Sequence, residues 1–266
     1  MTNLTVTHAE SGVVTASVIR SERISPNIQR VTIGGGDLHS FEYLGYDQWV
    51  RLMIPTGDEV RFDNLPERVD TAGYLRYLTL PKRTRPEIRS YTIRGFRTDP
   101  LELDVDFVVH GDEGIAGPWA IATNPGDPIA FVDQGHGWRP EAAAAADELL
   151  LVADETGMPA ALGVLRSLPR NARGRAIIEL ADSADQQPVE TRSQVQVEWM
   201  TRRPGQAPGE VALAAARGHQ TSLSVYGLAV GESKLATGVR RLLVSERKVD
   251  KKQVTFCGYY KLPKDH

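Results

Sequence analysis

The hydrophobic pattern divides the chain into two regions. Up to about residue 140, short runs of β-branched and aromatic residues alternate with polar ones and end at glycine or proline, which is typical of strands joined by tight turns. The candidate strands here are Val13–Ile19, Ile28–Ile33, Gln48–Ile54, Tyr74–Leu80, Arg89–Gly95, Leu101–Val109 and Pro128–Asp133. Many short strands with little helix predict a closed antiparallel barrel or a sandwich.

Strands and helices alternate after the alanine run at Ala142–Ala146, which we interpret as a linker or the start of a helix. Amphipathic helices are predicted over Met158–Leu168 and Lys234–Ser245. The candidate strands are Glu148–Ala153, Arg175–Ala181, Gln194–Trp199, Ser222–Gly227 and Val254–Tyr259. This alternation predicts a parallel sheet covered by helices, so we expect two domains, residues 1–140 and 141–266.

Composition indicates an ordinary globular protein. Hydrophobic residues make up 41% of the 266 positions, which excludes global disorder. No apolar stretch approaches the roughly 20 residues of a membrane span, and the first residues lack the pattern of a signal peptide. We therefore expect a cytoplasmic protein, and a monomer because no long apolar patch or heptad run is present.

Cysteine, histidine and charge narrow the chemistry. The single cysteine, Cys257, excludes an internal disulfide and a multi-cysteine metal site, and we interpret it as a core residue. The six histidines lack ligand spacing, so no metal site is predicted. The net charge of −3 argues against a general nucleic-acid binder. However, residues 238–266 carry eight basic and three acidic side chains, which suggests an anionic ligand or a solvated helix face.

Two segments could hold a flat, phosphate-bearing cofactor. No Gly-x-Gly-x-x-Gly turn opens a helix, and neither a P-loop nor a Gly-x-Ser-x-Gly elbow is present. In Arg89–Arg94, an arginine suited to phosphate lies beside an aromatic ring and hydroxyls, although an exposed barrel strand would have the same sequence. The glycine-rich turn Gly111–Gly117 follows a strand and opens a short helix, whose free N–H groups suit a pyrophosphate.

These segments resemble the siderophore-interacting protein family, FAD-dependent ferric-siderophore reductases of the ferredoxin-reductase-like superfamily. Arg89-Ser90-Tyr91-Thr92 resembles the Arg-x-Tyr-Thr/Ser flavin motif, and residues 106–114 resemble Asp-Phe-Val-x-His-Gly-Asp-x-Gly. Residues 152–160 resemble the Gly-Asp-Glu-Thr-Ala-x-Pro-Ala segment, and Gly258–Lys261 resembles the closing Gly-Tyr-Trp-Arg/Lys. The chain departs from the family at Ile115–Trp119, where Pro-Ala-Ser-x-Trp is usual, and at Ala153 and Tyr260.

The resemblance implies a six-stranded antiparallel FAD-binding β-barrel followed by a ferredoxin–NADP reductase-like α/β domain. It implies that Arg89 binds the flavin pyrophosphate or ribityl region, that Tyr91 stacks on the isoalloxazine, and that Thr92 bonds near its reactive nitrogen. His110 would line the adenosine or pyrophosphate side. The other implied FAD contacts are Ser90, Asp106, Val108, Gly114, Ala116, Gly117 and Trp119.

The resemblance also implies an electron donor. Asp154, Glu155 and Thr156 follow the first strand of the α/β domain, where such a sheet binds its second ligand, so they would face NAD(P)H. Family members with an added C-terminal helix tend to use ferredoxin. Only six residues follow Tyr260, which favours NAD(P)H over ferredoxin. Arg202 and Arg203 could bind a 2′-phosphate, but a solvated loop is the favoured interpretation.

The implied substrate is a ferric siderophore, which is reduced to release Fe(II) in iron acquisition. Basic residues would hold an anionic complex, with Arg51 and Lys261 as carry-overs and either Arg240 or Arg247 as the third. No catalytic acid or base is required, because flavin mediates the electron transfer. Two alternatives remain: a general flavin or ferredoxin-type reductase, and a flavin- or siderophore-binding protein without turnover.

Overall fold

The chain forms two compact units in a computed structural model that describes residues 2–4, 12–57, 59–66, 71–109, 114–222 and 224–263. One unit comprises Val6–Leu44 and Gln48–His136. The other comprises Gly137–His266 together with the short segments Met1–Thr5 and Gly45–Asp47.

The first unit is a closed antiparallel barrel, as the sequence predicts. Its six strands, among the described residues, are β1 (Val14–Ser25), β2 (Ile28–Gly34), β3 (Trp49–Ile54), β4 (Glu87–Thr98), β5 (Leu101–Val108) and β6 (Pro128–Asp133). They pair in the order β1-β2-β5-β4-β3-β6, and β6 returns to β1. Inward-facing side chains such as Val50, Ile93, Leu103 and Phe107 are fully buried and fill the barrel. This core fixes the register of β3, β4 and β5, which carry the candidate site.

The connection between β3 and β4 contains a helix where the sequence analysis predicts a strand. Helix α1 (Thr71–Thr79) occupies most of the segment Tyr74–Leu80, so that prediction is wrong. Tyr77 anchors the helix, because its ring is buried and its hydroxyl donates to the Pro86 carbonyl at 2.6 Å. Tyr74 and Leu75 are exposed, so the alternation of apolar and polar residues there does not mark a half-buried strand.

Helix α2 (Ala116–Ala122) follows β5 and precedes β6. The short helix predicted after the glycine-rich turn is therefore present. It packs against the barrel, since Ala116 and Ala120 are buried in the same core as Phe107.

The second unit is a five-stranded parallel sheet with helices, again as predicted. Its strands are β7 (Glu148–Ala153), β8 (Arg173–Leu180), β9 (Gln194–Thr201), β10 (Val225–Glu232) and β11 (Val254–Tyr260). The strand order is β11-β10-β7-β8-β9. The helices are α3 (Pro140–Ala144), α4 (Met158–Ser167), α5 (Glu210–Gly218) and α6 (Ser233–Arg241), and a π-helical turn over Leu242–Glu246 extends α6. The sequence analysis did not anticipate α5.

Membrane-spanning character is absent from the helices that the structure describes, because none of them has both the length and the apolar character that a span requires.

Candidate functional site

The Arg89–Thr92 segment lies in the middle of β4, hydrogen-bonded to β3. Thr92 pairs with Trp49, Tyr91 with Val50, and Ser90 with Arg51. The Arg89 side chain is 43% exposed, and its guanidinium donates to the Glu87 carboxylate and the Ile88 carbonyl. Its remaining N–H groups are therefore available to a phosphate, while the strand holds the side chain in place.

A row of aromatic rings joins this segment to α2. The ring centroids of Tyr91 and Phe107 are 4.4 Å apart, and those of Phe107 and Trp119 are 5.6 Å apart. Tyr91 is partly buried, and burial raises the pKa of its phenol, so the side chain stays neutral. The two segments that the sequence analysis singled out, about 20 residues apart, therefore belong to one site on the barrel.

The start of α2 leaves backbone donors without a side-chain cap. Ile115 precedes the helix and makes no capping hydrogen bond, so no side chain that the structure describes caps the first N–H groups, those of Ala116 and Gly117. Gly114 has a φ of +83°, a conformation that favours glycine. The predicted contact His110 lies in residues 110–113, outside the described part of the chain.

Asp106 and its neighbours on β5 are engaged by arginines. The Asp106 carboxylate accepts two hydrogen bonds from Arg30, at 2.7 and 2.9 Å. Asp104 accepts hydrogen bonds from Arg97 and Thr32. Burial raises the pKa of its carboxyl, but the interactions with these residues lower it more, so the pKa is lowered overall. Asp106 thus has a clear structural role. FAD binding by Asp106 and by the half-buried Val108 stays a prediction.

The donor set on the barrel fits a flavin dinucleotide. Arg89 and the uncapped N–H groups of α2 suit a pyrophosphate, and the Tyr91 ring suits an isoalloxazine. Beside Thr92, the buried indole N–H of Trp49 has no hydrogen-bond acceptor among the described residues. The serine that the family usually has in this turn is Gly117 here, and its N–H is retained.

The predicted NAD(P)H-side residues are tied into the scaffold at the carboxyl end of β7. Asp154 is fully buried and accepts from the backbone N–H groups of Thr156, Gly157 and Glu232 and from the Thr156 hydroxyl. Burial, reinforced by the nearby Glu155 charge, raises the Asp154 pKa to about 6. These contacts hold the turn between β7 and α4 against the end of β10, so Asp154 and Thr156 position the backbone.

Arg202 forms a buried ion pair with Glu155, so the solvated-loop interpretation is wrong for this arginine. Its guanidinium donates to both Glu155 oxygens at 2.5 Å and lies 3.5 Å from Glu179. The Glu155 and Arg202 side chains are 1% and 10% exposed. Glu179 in turn accepts from the N–H groups of Gly209 and Ala212 at the start of α5. Arg203 is exposed, as a loop residue would be.

The basic residues of the C-terminal segment do not lie together. Lys261 follows β11 and is exposed. Arg240 is near the far end of α6, with its guanidinium 5.1 Å from the centre of the Phe256 ring. Arg247 donates to the carbonyls of Ala216 and Arg217 at the end of α5, so its guanidinium is used within the fold. On the barrel, Arg51 is half-buried on β3.

Lys234 is a residue that the sequence analysis missed. It lies in the first turn of α6 and is exposed. The Ser233 hydroxyl donates to the Tyr260 carbonyl at 2.6 Å, which brings Lys234 and Lys261 to the same edge of the sheet. Only the pairing of β10 with β11 reveals this proximity, because 26 residues separate the two lysines in the sequence.

Known proteins resemble the chain along most of its length. Residues 17–137 match the family model described as the siderophore-interacting FAD-binding domain, and residues 146–262 match that of the siderophore-interacting protein. The NADPH-dependent ferric-chelate reductase of Escherichia coli (strain K12) is 32% identical over 194 residues, 69% of this chain and 69% of the relative.

Two further similarities cover more of the chain. The ferric vibriobactin reductase of Vibrio cholerae is 26% identical over 93% of this chain and 89% of its own length. The crystal structure of a siderophore utilization protein from T. fusca superposes with a TM-score of 0.75 at 29% identity, covering 95% of this chain and 94% of that one. Mycobacterial relatives are 33% identical to this chain, and the matched part spans 64% of their length.

The matched segments coincide with the two structural units, and the Arg89–Thr92 strand and helix α2 lie within the first matched segment. The chain belongs to the siderophore-interacting protein family, and its barrel is the FAD-binding domain of that family.

Proposed function

We propose that this protein is an FAD-dependent reductase of ferric siderophores that takes its electrons from NADPH. The observation that carries the proposal is the single barrel site formed by Arg89, Tyr91 and the uncapped start of α2, linked through Phe107. The names of the Escherichia coli and Vibrio cholerae relatives support the substrate class, and the first of them supports NADPH.

The overall reaction conserves atoms and charge. One NADPH gives up a hydride, which carries two electrons, and each of two siderophore-bound Fe(III) ions takes one electron to become Fe(II). A proton and NADP⁺ complete the balance. FAD, when bound, accepts electrons in a pair and passes them on singly. Fe(II) is larger and less strongly held by hard oxygen ligands than Fe(III), so reduction favours release from the siderophore.

The protein's own residues bind and orient. Arg89 and the N–H groups of Ala116 and Gly117 hold the pyrophosphate, while Tyr91 supports the ring system and Thr92 donates to its edge. No residue of this set transfers a proton to or from iron or its ligands, so we assign no catalytic acid or base. Lys261, on the parallel-sheet unit, raises the local concentration of an anionic ferric complex through its charge, and the same role for Arg51 on the barrel stays a prediction.

NADPH is favoured over ferredoxin because the Escherichia coli relative is named as an NADPH-dependent reductase. The scaffold contacts of Asp154 and Glu155 shape the turn after β7 on which the nucleotide would rest. We therefore assign these two carboxylates to positioning the backbone, and direct contact with NADPH to the main-chain groups of that turn.

An anaerobic assay tests the proposal. FAD-loaded protein is mixed with NADPH and a ferric siderophore, and Fe(II) is measured with a chromogenic ferrous chelator. We expect turnover with the ferric siderophore to exceed turnover with ferric citrate or free FAD as acceptor. Equal rates with all acceptors would indicate a general flavin reductase. Binding of FAD and siderophore with no Fe(II) formed would indicate a binding protein. Either result contradicts the proposal.

A further inference from the structure

We propose that Lys234 is a specificity-determining residue for anionic ferric chelates and acts together with Lys261. The inference rests on the proposed function and deepens it by naming the cation that accompanies Lys261 on the C-terminal unit. The two lysines are called the edge pair below.

The contacts between α6 and β11 place the edge pair on one rim of the parallel sheet. Each lysine is one residue away from the hydrogen bond between the Ser233 hydroxyl and the Tyr260 carbonyl, which is 2.6 Å long. Gly258 permits this approach, since a Cβ there would lie 2.5 Å from the Ser233 hydroxyl oxygen. Lysine side chains reach roughly 6 Å from their Cα atoms, so both amines can contact one multiply charged ligand.

Both amines of the edge pair are uncommitted. Lys234 and Lys261 are exposed, and neither side chain forms a hydrogen bond or ion pair with any other residue that the structure describes. Other cations of the same unit are used within the fold: Arg202 pairs with Glu155, and Arg247 bonds to the end of α5. An unpaired cation is free to bind an anion without first breaking an internal contact.

The acids beneath this rim do not require the lysines. Asp154 accepts four hydrogen bonds, and the Glu232 carboxylate accepts from the N–H groups of Lys234, Leu235 and Leu262. Glu155 is neutralised by Arg202. Each of these carboxylates is buried and hydrogen-bonded within the fold, so none of the three uses a lysine amine of the edge pair as a donor.

Other cations of the C-terminal segment that the structure describes lie elsewhere. Arg240 is six residues further along α6 than Lys234, about 9 Å along the helix axis. Lys251 and Lys252 precede β11, and Lys261 follows it, so the strand separates them from the edge pair by about 20 Å. The basic residues that cluster in the sequence therefore lie at both ends of the parallel strands. Lys234 and Lys261 lie at the carboxyl ends, which is where a parallel α/β sheet binds ligands.

The experiment compares Lys234→Glu with Lys252→Glu. Both remove an exposed lysine from the same unit and change the net charge equally, but Lys252 lies at the opposite edge. Binding of ferric enterobactin, a multiply anionic tris-catecholate, is measured by quenching of tryptophan fluorescence without NADPH. Ferrioxamine B, a hydroxamate complex that is not anionic, is the comparison ligand. The KM for NADPH and the melting temperature are measured alongside.

We expect Lys234→Glu to raise the Kd for ferric enterobactin about tenfold at low salt, with a smaller effect as salt is added. Lys252→Glu should change it less than about twofold, and ferrioxamine B should bind both variants as it binds the parent protein. Equal effects of the two variants would overturn the proposal. A rise in the KM for NADPH alone would assign Lys234 to the nucleotide phosphate and would also overturn it. Weaker binding of both chelates together with a lower melting temperature would show a structural role instead.

The binding readout separates this inference from the proposed function. Loss of ferric enterobactin affinity in Lys234→Glu without any Fe(II) formation by the parent protein would uphold the edge pair and refute the reductase. Fe(II) formation with no dependence on Lys234 would do the reverse.

Discussion

The barrel site and the carboxyl edge of the parallel sheet both carry family-like residues, yet they use them differently. On the barrel, Arg89 is 43% exposed and the start of α2 has no side-chain cap. At the sheet edge, Asp154 and Glu155 are buried and saturated by internal donors. Polar groups of the barrel that have spare hydrogen-bonding capacity are available to a ligand. The carboxylates of the parallel-sheet unit are already hydrogen-bonded, so they hold the backbone around a ligand site instead.

This difference shows that a recognisable segment does not by itself mark a ligand contact. Arg89–Thr92 and Asp154–Thr156 both lie in segments that resemble the family in the sequence. In the structure, the two segments differ in whether their hydrogen-bond donors and acceptors already have partners within the fold. The contrast predicts that changes at the sheet edge will act first on stability, and that changes on the barrel strand will act first on cofactor affinity.

The largest effect is expected for Glu155→Ala. Removing this carboxylate leaves Glu179 as the remaining acidic partner of the buried Arg202 guanidinium among the described residues, and the free energy of unfolding should fall by about 3–5 kcal/mol. Chemical denaturation measures this change. The matched control is Glu198→Ala, because Glu198 pairs with Arg175 on a half-exposed surface and its loss should cost less than about 1 kcal/mol. Equal losses in the two variants would contradict the assignment of Glu155 to the scaffold.

Arg89→Ala should weaken FAD binding by about 2–3 kcal/mol, or roughly 30–100-fold in Kd. A charge-assisted contact to the pyrophosphate is lost, while the half-exposed side chain contributes little to the apoprotein. FAD titration followed by fluorescence measures the affinity, and thermal unfolding of the apoprotein should be unchanged. Arg76→Ala removes an exposed arginine of α1 and serves as the control. An unaltered FAD affinity in Arg89→Ala would contradict the barrel site.

A smaller effect concerns the pH dependence of stability. The Asp154 pKa rises from 3.8 to about 6 on folding, so the folded state binds more protons than the unfolded state between these values. The contribution of this group to stability therefore falls as the pH rises from about 4 to 6, and the cost is fully present above pH 6. This cost amounts to about 3 kcal/mol at pH 7.

Asp154→Asn tests this pH dependence. The variant also loses hydrogen bonds, but that loss does not depend on pH. The difference in unfolding free energy between the parent protein and the variant should therefore change by about 2 kcal/mol between pH 4 and pH 7. Glu102 and Asp104, whose pKa values are lowered, affect both proteins alike and cancel. Asp182→Asn, at an exposed cap, is the control for removing an aspartate carboxylate from the surface of the same unit. A parallel pH dependence in the parent and Asp154→Asn would be evidence against a raised pKa.

The sequence predicts most of the architecture because hydrophobic periodicity carries it. Four of the five parallel strands lie where runs of apolar residues predict them, whereas β10 (Val225–Glu232) overlaps the predicted strand Ser222–Gly227 only at its first three residues. Helix α1 was mistaken for a strand because Tyr74–Leu80 alternates by chance, and helix α5 was missed because most of its apolar positions are alanines. Both errors concern segments in which burial does not determine the pattern of apolar and polar residues.

The candidate site is less accessible to sequence reasoning. The Arg89 strand and the α2 turn can be recognised by residue type, but their contact through Phe107 depends on the register of β4 against β5. The partner of Arg202 lies 47 positions away. The basic C-terminal segment looks continuous, although β11 passes through it and sends Lys252 and Lys261 to opposite edges. Contacts of this kind are set by topology, which a linear count of charges does not contain.

Flavin retention tests the central claim most directly. The purified protein is incubated with FAD, desalted, and examined by visible absorption, with Arg89→Ala treated in the same way. The account predicts the twin bands of an oxidised flavin in the parent protein and their loss or marked reduction in Arg89→Ala. A colourless parent protein that fails to retain added FAD would contradict the claim that the barrel strand and the α2 turn form a cofactor site.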